Sequence, residues 1–370
     1  MERNLMAWFP EELENVKAHN TTEDIIDWCL LRSILNDTKQ VQMDDVTFMI
    51  PYGTDSTVRF RNLCTVLFWL YCNTTAKISV FISETQEGNS KSEWFKWPEA
   101  SAIPALPYRL ESRTVDQIKD VIWRNICNAL VPTGVLNAPD DISGMVEHKK
   151  KFMNQLSVIM ELRSDDAPFH RTKYLNEMLS LATTPFVVNH DADVLLPQQT
   201  LIKTMSVLRN AAIDVVYPYG FGNYQLQIHD LESSRNMDLI IGGDASSLIA
   251  TVGIGTLLWS SKYGHSIFFK ADSYRAIHGE NESFISWGAE DVERYVRCIK
   301  MGLNISRLPE ATVFHLEHPR GANSSEQNPA FRDNEKLWDE IQVLTPLELI
   351  EYYNNCSYYK RYGWRDISAS

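Results

Sequence analysis

A short apolar run that ends in two closely spaced aspartates places the strongest constraint on the fold of this chain. Phe186, Val187 and Val188 are typical of a strand buried on both faces, and Asp191 and Asp193 follow shortly after it. Ligands of open α/β sheets lie outside the carboxyl ends of the strands. Carboxylates at such a place suit Mg²⁺ or Mn²⁺, which add water and substrate phosphates to their shell. The segment predicts a metal site, whereas the alternative is a turn-capping Asp191 beside a solvated Asp193.

Strands and helices alternate before this segment. A strand over Val46–Ile50, a helix through Arg61–Leu70 and a strand over Ile78–Ile82 give the order of a βαβ unit, with helices on the faces of the sheet. The strand pattern resumes at Leu156–Met160. We therefore predict an α/β fold.

The composition along the chain predicts three parts. Residues 1–44 are polar and helix-prone and form a helical N-terminal extension, and residues 336–370 form a helical tail. The main domain spans residues 45–335. Within it, residues 84–150 are rich in Pro, Trp, Ser and charge, which predicts an insertion with a helix near 115–130.

The overall charge and the cysteines exclude some classes of protein. A formal net charge of −13 opposes a general nucleic-acid binder, which needs a basic face. No apolar run approaches the length of a membrane-spanning helix, and residues 1–10 do not have the pattern of a signal peptide. The six cysteines form no C-x-x-C pair and are typical of reduced, buried thiols. We expect a cytoplasmic protein.

A second motif couples an aromatic residue to two acids at the start of a helix. Apolar residues recur at helical spacing after Asp291, and Gly302 follows where a helix would end, so that Glu290 and Asp291 occupy the first turn. Acidic residues stabilise helix N-termini in any protein. Because Trp287 and Gly288 precede the pair, a second interpretation is a carboxylate that takes the proton of a sugar hydroxyl while the ring covers the sugar. A tryptophan in the core remains the alternative for Trp287.

A third motif places two histidines at the end of another apolar run. His315 and His318 flank Glu317, and Pro319 opposes a continuing helix, so the spacing is not that of the helical zinc proteases. Imidazole binds Mn²⁺, although it suits zinc better. The histidines therefore either complete the metal shell or are hydrogen-bonded core residues.

Taken in order, the three motifs resemble those of the GT-A fold glycosyltransferases, above all the β1,4-galactosyltransferases and bacterial family 2 enzymes such as chondroitin polymerase. They are Asp191–Asp193, Trp287–Asp291 and His315–His318. Phe169–Asn176 resembles a nucleotide-contacting segment of the galactosyltransferases, and Ile50–Tyr52 resembles their nucleotide-binding turn. The resemblance implies a Rossmann-like mixed sheet flanked by helices, with helical extensions at both ends.

The resemblance also implies roles for individual residues. The residues that would bind the nucleotide-sugar donor are Pro51, Tyr52, Phe169, Arg171, Asp191, Tyr263 and Gly264. Those that would hold Mn²⁺ or Mg²⁺ are Asp193, His315 and His318. Asp291 and Glu290 would be the catalytic residues, with Asp291 as the base, and Glu290 and Trp287 would bind the acceptor sugar.

The chain departs from the galactosyltransferase pattern at several of these positions. Ser286 and Ala289 stand where the family has glycines, and Val292 ends the acidic run early. His315 stands where the family has a methionine metal ligand. This last departure leaves open which of His315 and His318 is the principal metal ligand.

The function implied is that of a metal-dependent, inverting glycosyltransferase. It would move a hexose or N-acetylhexosamine from a nucleotide-diphosphate sugar, with UDP as the expected carrier, to a saccharide or glycolipid acceptor. Two alternatives are a zinc-dependent hydrolase at His315, Glu317 and His318, and a catalytically idle sugar-nucleotide-binding protein. The aromatic and basic tail over 351–365 either makes weak peripheral contact with a membrane or packs against the domain.

Overall fold

A computed structural model of the chain describes residues 40–53, 57–85, 114–130, 139–164, 167–220, 225–228, 255–257, 262–321 and 324–367. The predicted N-terminal extension, apart from residues 40–44, lies outside the described residues, as do residues 86–113 and 131–138 of the predicted insertion.

The described strands form two sheets. In chain order they are β1 Val46–Gly53, β2 Lys77–Thr85, β3 Leu156–Arg163, β4 Phe186–His190, β5 Val194–Leu195, β6 Val215–Tyr217, β7 Gln225–Ile228, β8 Gly255–Leu257, β9 Ser266–Lys270, β10 Ile305–Arg307 and β11 Val313–Leu316. The larger sheet has seven strands in the order β10-β6-β9-β4-β1-β2-β3. It is mixed, because β9 runs antiparallel to β4 and β6 while β1 to β4 pair in parallel.

Helices cover the sheet and extend the chain beyond it. In chain order they are α1 Thr57–Asn73, α2 Val115–Leu130, α3 Pro139–Gln155, α4 Arg171–Leu181, α5 Gln198–Leu208, α6 Ala271–Ala276, α7 Glu290–Lys300, α8 Phe331–Gln342 and α9 Pro346–Asn355. Helix α1 joins the parallel strands β1 and β2, as the predicted βαβ unit requires. The helix predicted near 115–130 is confirmed as α2.

The mixed sheet with flanking helices confirms the predicted fold class. Strand β1 is central, and residues 46–52 of it are buried because sheet or helix covers both faces. Strand β4 is buried over 187–190, as its apolar run predicted. The carboxyl ends of β1 and β4 therefore meet at one edge of the sheet, where Gly53 and Asp191 lie.

A second, smaller sheet has the order β5-β11-β7-β8. In it β11 runs antiparallel to β5, so that His315 pairs with Val194 and Phe314 with Leu195. The N–H of Leu316 donates to the carbonyl of Asp193 at 2.7 Å. This pairing brings the third motif of the sequence to the first.

The C-terminal tail is helical, as predicted, and packs against α7. A small apolar cluster joins them, with Phe284 before α7, Ile341 on α8 and Leu349 and Tyr353 on α9. Beyond α9, Tyr358 and Tyr359 are buried. The aromatic residues of the tail thus contribute to the packing of the domain.

Three of the four cysteines whose side chains the structure describes are buried, as the sequence predicted. Cys64, Cys72 and Cys298 are free and buried, and Cys356 is free and half-buried. Among the helices that the structure describes, none has both the length and the apolar character needed to cross a bilayer.

Candidate active site

Three predicted metal ligands converge where the two sheets meet. Asp193 lies between β4 and β5, and the pairing of β5 with β11 sets His315 and His318 beside it. Nε2 of His318 lies 3.1 Å from Oδ2 of Asp193, and Nε2 of His315 lies 3.5 Å from Oδ1. One ligand atom from each residue falls within 4.8 Å of the others. The spacing is that of side chains able to share one cation.

The chemistry of this cluster fits a divalent cation. It offers one carboxylate and two imidazoles, a donor set accepted by several divalent metals, Mn²⁺ among them. Nδ1 of His315 is buried and has no hydrogen-bond partner among the described residues. Burial alone would raise the pKa of Asp193, but His315, His318 and Arg59 outweigh it and hold the pKa well below its usual value. The carboxylate is therefore ionised, as a metal ligand must be.

Asp191 lies beside this cluster and pairs with an arginine. Its Oδ1 accepts from Nη2 of Arg171 at 2.7 Å, and its backbone N–H donates to the carbonyl of His265 at 2.9 Å. Arg171 is the first residue of α4, and the carboxyl end of β4 brings Asp191 to it. The Asp191 side chain is thus held by Arg171 at the cavity wall.

The turn before α7 has an unusual backbone. Ser286 and Ala289 have φ of 63°, and Gly288 has φ of 129°. Left-handed backbone is unfavourable for residues with a Cβ atom and is found at functional sites more often than elsewhere. The turn directs Glu290 and Asp291 toward the same cavity as the metal ligands.

The two carboxyl groups of this motif have different electrostatic surroundings. Oδ1 of Asp291 accepts from Nη2 of Arg294 at 2.6 Å and from Nη1 of Arg171 at 3.5 Å. Burial would raise the pKa of Asp291, but Arg294 and Arg171 outweigh it and lower the pKa. Burial and the neighbouring Asp291 raise the pKa of Glu290 to about 7. Near neutral pH, Asp291 is ionised, and Glu290 is present in both its protonated and its ionised form.

Trp287 is not a core residue. It is 37% exposed and lines the cavity. Its ring stacks on Phe331, with 5.5 Å between centroids and 15° between planes. Phe331 covers one face of the indole, which leaves the other for a ligand.

One cavity collects most of the residues predicted for the site. Those that line it are Pro51, Phe169, Arg171, Asp191, Asp193, Gly264, Trp287, Glu290, Asp291, His315 and His318. The ring of Phe169 packs closely on Gly53 at the end of β1, where an added Cβ atom would lie 3.1 Å from the ring. The structure therefore brings the three sequence motifs together around a common space.

Two side chains predicted to bind the donor, those of Tyr52 and Tyr263, are not among the residues that line the cavity. The Tyr52 side chain is 1% exposed and packs beside Phe60 in the core, because side chains alternate along β1 and Pro51 has the cavity side. The ring of Tyr263 packs on Tyr295 with 4.7 Å between centroids. Both tyrosine rings therefore pack against aromatic neighbours and do not line the cavity.

The cavity also contains residues for which the sequence predicted no role in the site. The additional lining residues are Gly53, Arg59, Arg163, Ala192, Gln227, His265, Ser286, Arg320 and Ser324. Arg59 could have been predicted from the sequence, since it lies in the first turn of the helix that follows β1. Arg163 and Arg320 gave no comparable pattern. With Arg171 they give the cavity four arginines, in a chain whose net charge is −13.

A family model matches part of the chain. The model, described as the N-terminal domain of galactosyltransferase, matches residues 254–319. This segment contains Trp287–Asp291 and His315–His318, two of the three motifs on which the resemblance rests. A search of curated proteins gave no significant match.

Solved structures that resemble the chain come from several glycosyltransferases. The catalytic domain of Drosophila β1,4-galactosyltransferase 7, in complex with xylobiose, is 10% identical, with 74% of this chain and 71% of that chain covered and a TM-score of 0.35. A Pyrobaculum calidifontis mannosyltransferase, in complex with GDP-mannose and Mn²⁺, is 12% identical, with 91% and 79% covered and a TM-score of 0.40. GalNAc-T7, with UDP, GalNAc and Mn²⁺, is 8% identical, with 87% and 55% covered and a TM-score of 0.45.

The family match confirms the resemblance that the ordered motifs predicted. It covers the segment that supplies both carboxyl groups of α7 and both histidines of the metal cluster. The mixed sheet positions these groups around one cavity. Residues 254–319 thus match a galactosyltransferase domain model, and they lie in a fold with a mixed sheet flanked by helices.

Proposed function

We propose that this protein transfers a hexose or N-acetylhexosamine from a UDP-sugar to a hydroxyl group of a saccharide or glycolipid, with inversion at the anomeric carbon. One observation carries the proposal: the cluster of Asp193, His315 and His318 opens into the same cavity as the ionised Asp291. Metal ligands and a base on one cavity are what transfer from a diphosphate leaving group requires.

The donor side of the cavity has the charge that a diphosphate needs. A divalent cation held by Asp193, His315 and His318 would neutralise charge that develops on the leaving diphosphate. Arg59 and Arg171 line the cavity beside Asp193 and Asp191 and supply further positive charge. Phe169, packed on Gly53, offers a ring for the nucleoside. Binding of phosphate would then be local, in an otherwise acidic protein.

The acceptor side offers a base and an aromatic surface. Asp291 takes the proton of the attacking hydroxyl as the new bond forms. Arg294 and Arg171 both contact Oδ1 of Asp291, so we assign the proton to Oδ2. The exposed face of Trp287 covers the acceptor ring, and Glu290 binds one of its hydroxyls. A single base opposite the leaving group gives one displacement, and hence inversion.

The hydrolase alternative receives no support from the geometry. Glu317, which such a mechanism would use, accepts from Nε2 of Gln227 at 3.3 Å. Among the described residues, the cluster able to hold a metal contains Asp193 with the two histidines and does not include Glu317. A sugar-nucleotide-binding protein without activity would still show donor binding, so turnover separates it from the transferase.

Thermal unfolding with a panel of nucleotides and nucleotide sugars, each with and without Mn²⁺, tests the proposal. A ligand that binds only the folded state adds about 2.7 kcal/mol at a hundredfold excess over Kd. We expect a shift with UDP-sugars that requires Mn²⁺ and is lost in Asp193→Ala. Asp272→Ala is the matched control, because Asp272 is exposed on α6 and keeps the shift. A shift that is the same without metal, or that survives in Asp193→Ala, contradicts the proposal.

A further inference from the structure

The turn that carries Trp287 is held by side chains from a segment that lies more than forty residues later in the chain. The turn contains three residues with positive φ, Ser286, Gly288 and Ala289. Two of them carry a Cβ atom, so the isolated turn would relax to another backbone shape. The contacts that keep it in place therefore also set where the aromatic ring and the carboxyl pair lie.

Two buried asparagines fix the backbone of this turn. Asn328 and Asn334 are 3% and 1% exposed. Nδ2 of Asn328 donates to the carbonyls of Ile285 at 3.0 Å and Trp287 at 2.7 Å. Nδ2 of Asn334 donates to the same carbonyls at 2.9 and 3.3 Å, and its Oδ1 accepts from the N–H of Ile285 at 3.1 Å. Five hydrogen bonds from two side chains thus hold one short stretch of backbone.

Phe331 fixes the side chain that this backbone carries. Its ring stacks on Trp287, and a Cβ atom at Gly288 would come within 2.9 Å of it. Phe331 therefore packs against both the Trp287 ring and the backbone of the turn. The turn is also bonded to Glu290 at the start of α7, because Oε2 of Glu290 accepts from the N–H of Gly288 at 2.7 Å. Movement of the turn would therefore reach the carboxyl pair.

We propose that Asn328, Phe331 and Asn334 are positioning residues for the acceptor site. They act through Trp287 and Glu290, and none of the three lines the cavity or belongs to the metal cluster. The inference rests on the proposed function, because it assigns the acceptor to the side of the cavity that Trp287 lines. Its specific content is that the start of α8 sets acceptor affinity and leaves donor binding unchanged.

Steady-state kinetics of Phe331 variants test this assignment. In Phe331→Ala we expect the acceptor KM to rise at least tenfold, while the donor KM and the Mn²⁺-dependent thermal shift with UDP-sugar stay within twofold of wild type. Hydrolysis of the donor without acceptor should also be unchanged. Phe331→Tyr keeps the stacked ring and should restore the acceptor KM. Leu337→Ala on the same helix packs in the apolar cluster with α9 and is the matched control, since it removes packing away from the turn.

Asn334→Ala provides an independent arm. We expect the ratio of transfer to donor hydrolysis to fall at least fivefold, because the acceptor is misplaced while the donor still binds. An unchanged acceptor KM in Phe331→Ala, or an equal rise in Leu337→Ala, overturns the inference. If Asn334→Ala does not fold, the Phe331 variants decide alone. Absence of transfer by the wild-type protein would instead contradict the proposed function.

Discussion

Arg294 donates through Nη2 to Oδ1 of Asp291 at 2.6 Å and through Nη1 to Oε1 of Glu280 at 2.9 Å. Its side chain is fully buried, as is that of Glu280. Nδ2 of Asn189 donates to the same oxygen of Glu280 at 2.6 Å. Because Asn189 belongs to β4, just before Asp191, one guanidinium connects the strand of the first motif to the carboxylate of the second.

The first prediction concerns this buried arginine. Arg294→Met should lower the free energy of unfolding by about 3–5 kcal/mol, because it leaves Glu280 buried without its charge partner. Urea denaturation measures the change. The matched control is Arg332→Ala, whose exposed pair with Glu335 at 2.8 Å should contribute no more than about 1 kcal/mol. Equal losses in both variants would show that Arg294 contributes no more than a surface ion pair.

The second prediction concerns the pH dependence of stability. Glu290 has a pKa of about 7 in the folded protein, against a usual 4.5. The folded state therefore holds this proton more tightly, so the resulting stability is fully present below about pH 4.5 and is lost as the pH rises through 7. Glu290→Gln carries no such titration. From pH 5 to pH 8, wild type should lose more free energy of unfolding than Glu290→Gln does, by an amount on the order of 1–3 kcal/mol.

Urea midpoints at the two pH values, with constant ionic strength, measure this difference. Other titrating groups are common to both proteins and cancel in the comparison. Glu335→Gln is the control, since Glu335 is half-exposed on α8 and should leave the wild-type pH dependence in place. Parallel pH profiles for wild type and Glu290→Gln would contradict a raised pKa at Glu290.

Much of the fold was readable from the sequence because its elements are local. The apolar run before Asp191, the spacing that begins α7 and the βαβ order near the N-terminal side each depend on neighbouring residues. The pairing of β5 with β11 did not follow from any local pattern, because β5 has only two residues, Val194 and Leu195. That pairing depends on tertiary packing, yet it is what places His315 beside Asp193.

The candidate site was predicted less evenly than the fold. Asp193 could be found because it follows an apolar run, and Trp287 because it precedes an acidic pair at a helix start. The orientation of Tyr52 could not, because either neighbour on β1 could have faced the cavity. Arg163 and Arg320 lie far apart in the chain, and they line one cavity only after the two sheets have assembled. Residues that only the tertiary structure brings together form no local pattern in the sequence, so the sequence does not predict them.

The third prediction concerns the relative weight of the two histidines. His318 lies closer to Asp193 than His315 does, at 3.1 Å against 3.5 Å, and is hydrogen-bonded to it. We expect His318→Ala and His315→Ala each to weaken Mn²⁺ binding by at least tenfold, with the larger loss in His318→Ala. Isothermal titration with Mn²⁺ in the presence of UDP measures both. His148→Ala is the control, because His148 pairs with Tyr71 away from the cavity. Wild-type affinity in His318→Ala would remove it from the ligand set.

The most direct test of the account is the turnover of Asp291→Asn, because the claim that this chain is an active inverting transferase depends on that base. The substitution should lower kcat for transfer at least about a hundredfold while donor affinity barely changes, since general base catalysis typically contributes 10²- to 10⁴-fold. Asp272→Asn is the matched control, as Asp272 occupies the first turn of α6 outside the cavity wall. If the acids only stabilise helix starts, both variants should cost about 0.3–1 kcal/mol of stability and keep their turnover. A kcat near wild type in Asp291→Asn would contradict the proposed mechanism, whereas a loss of kcat in that variant alone is expected if Asp291 is the base.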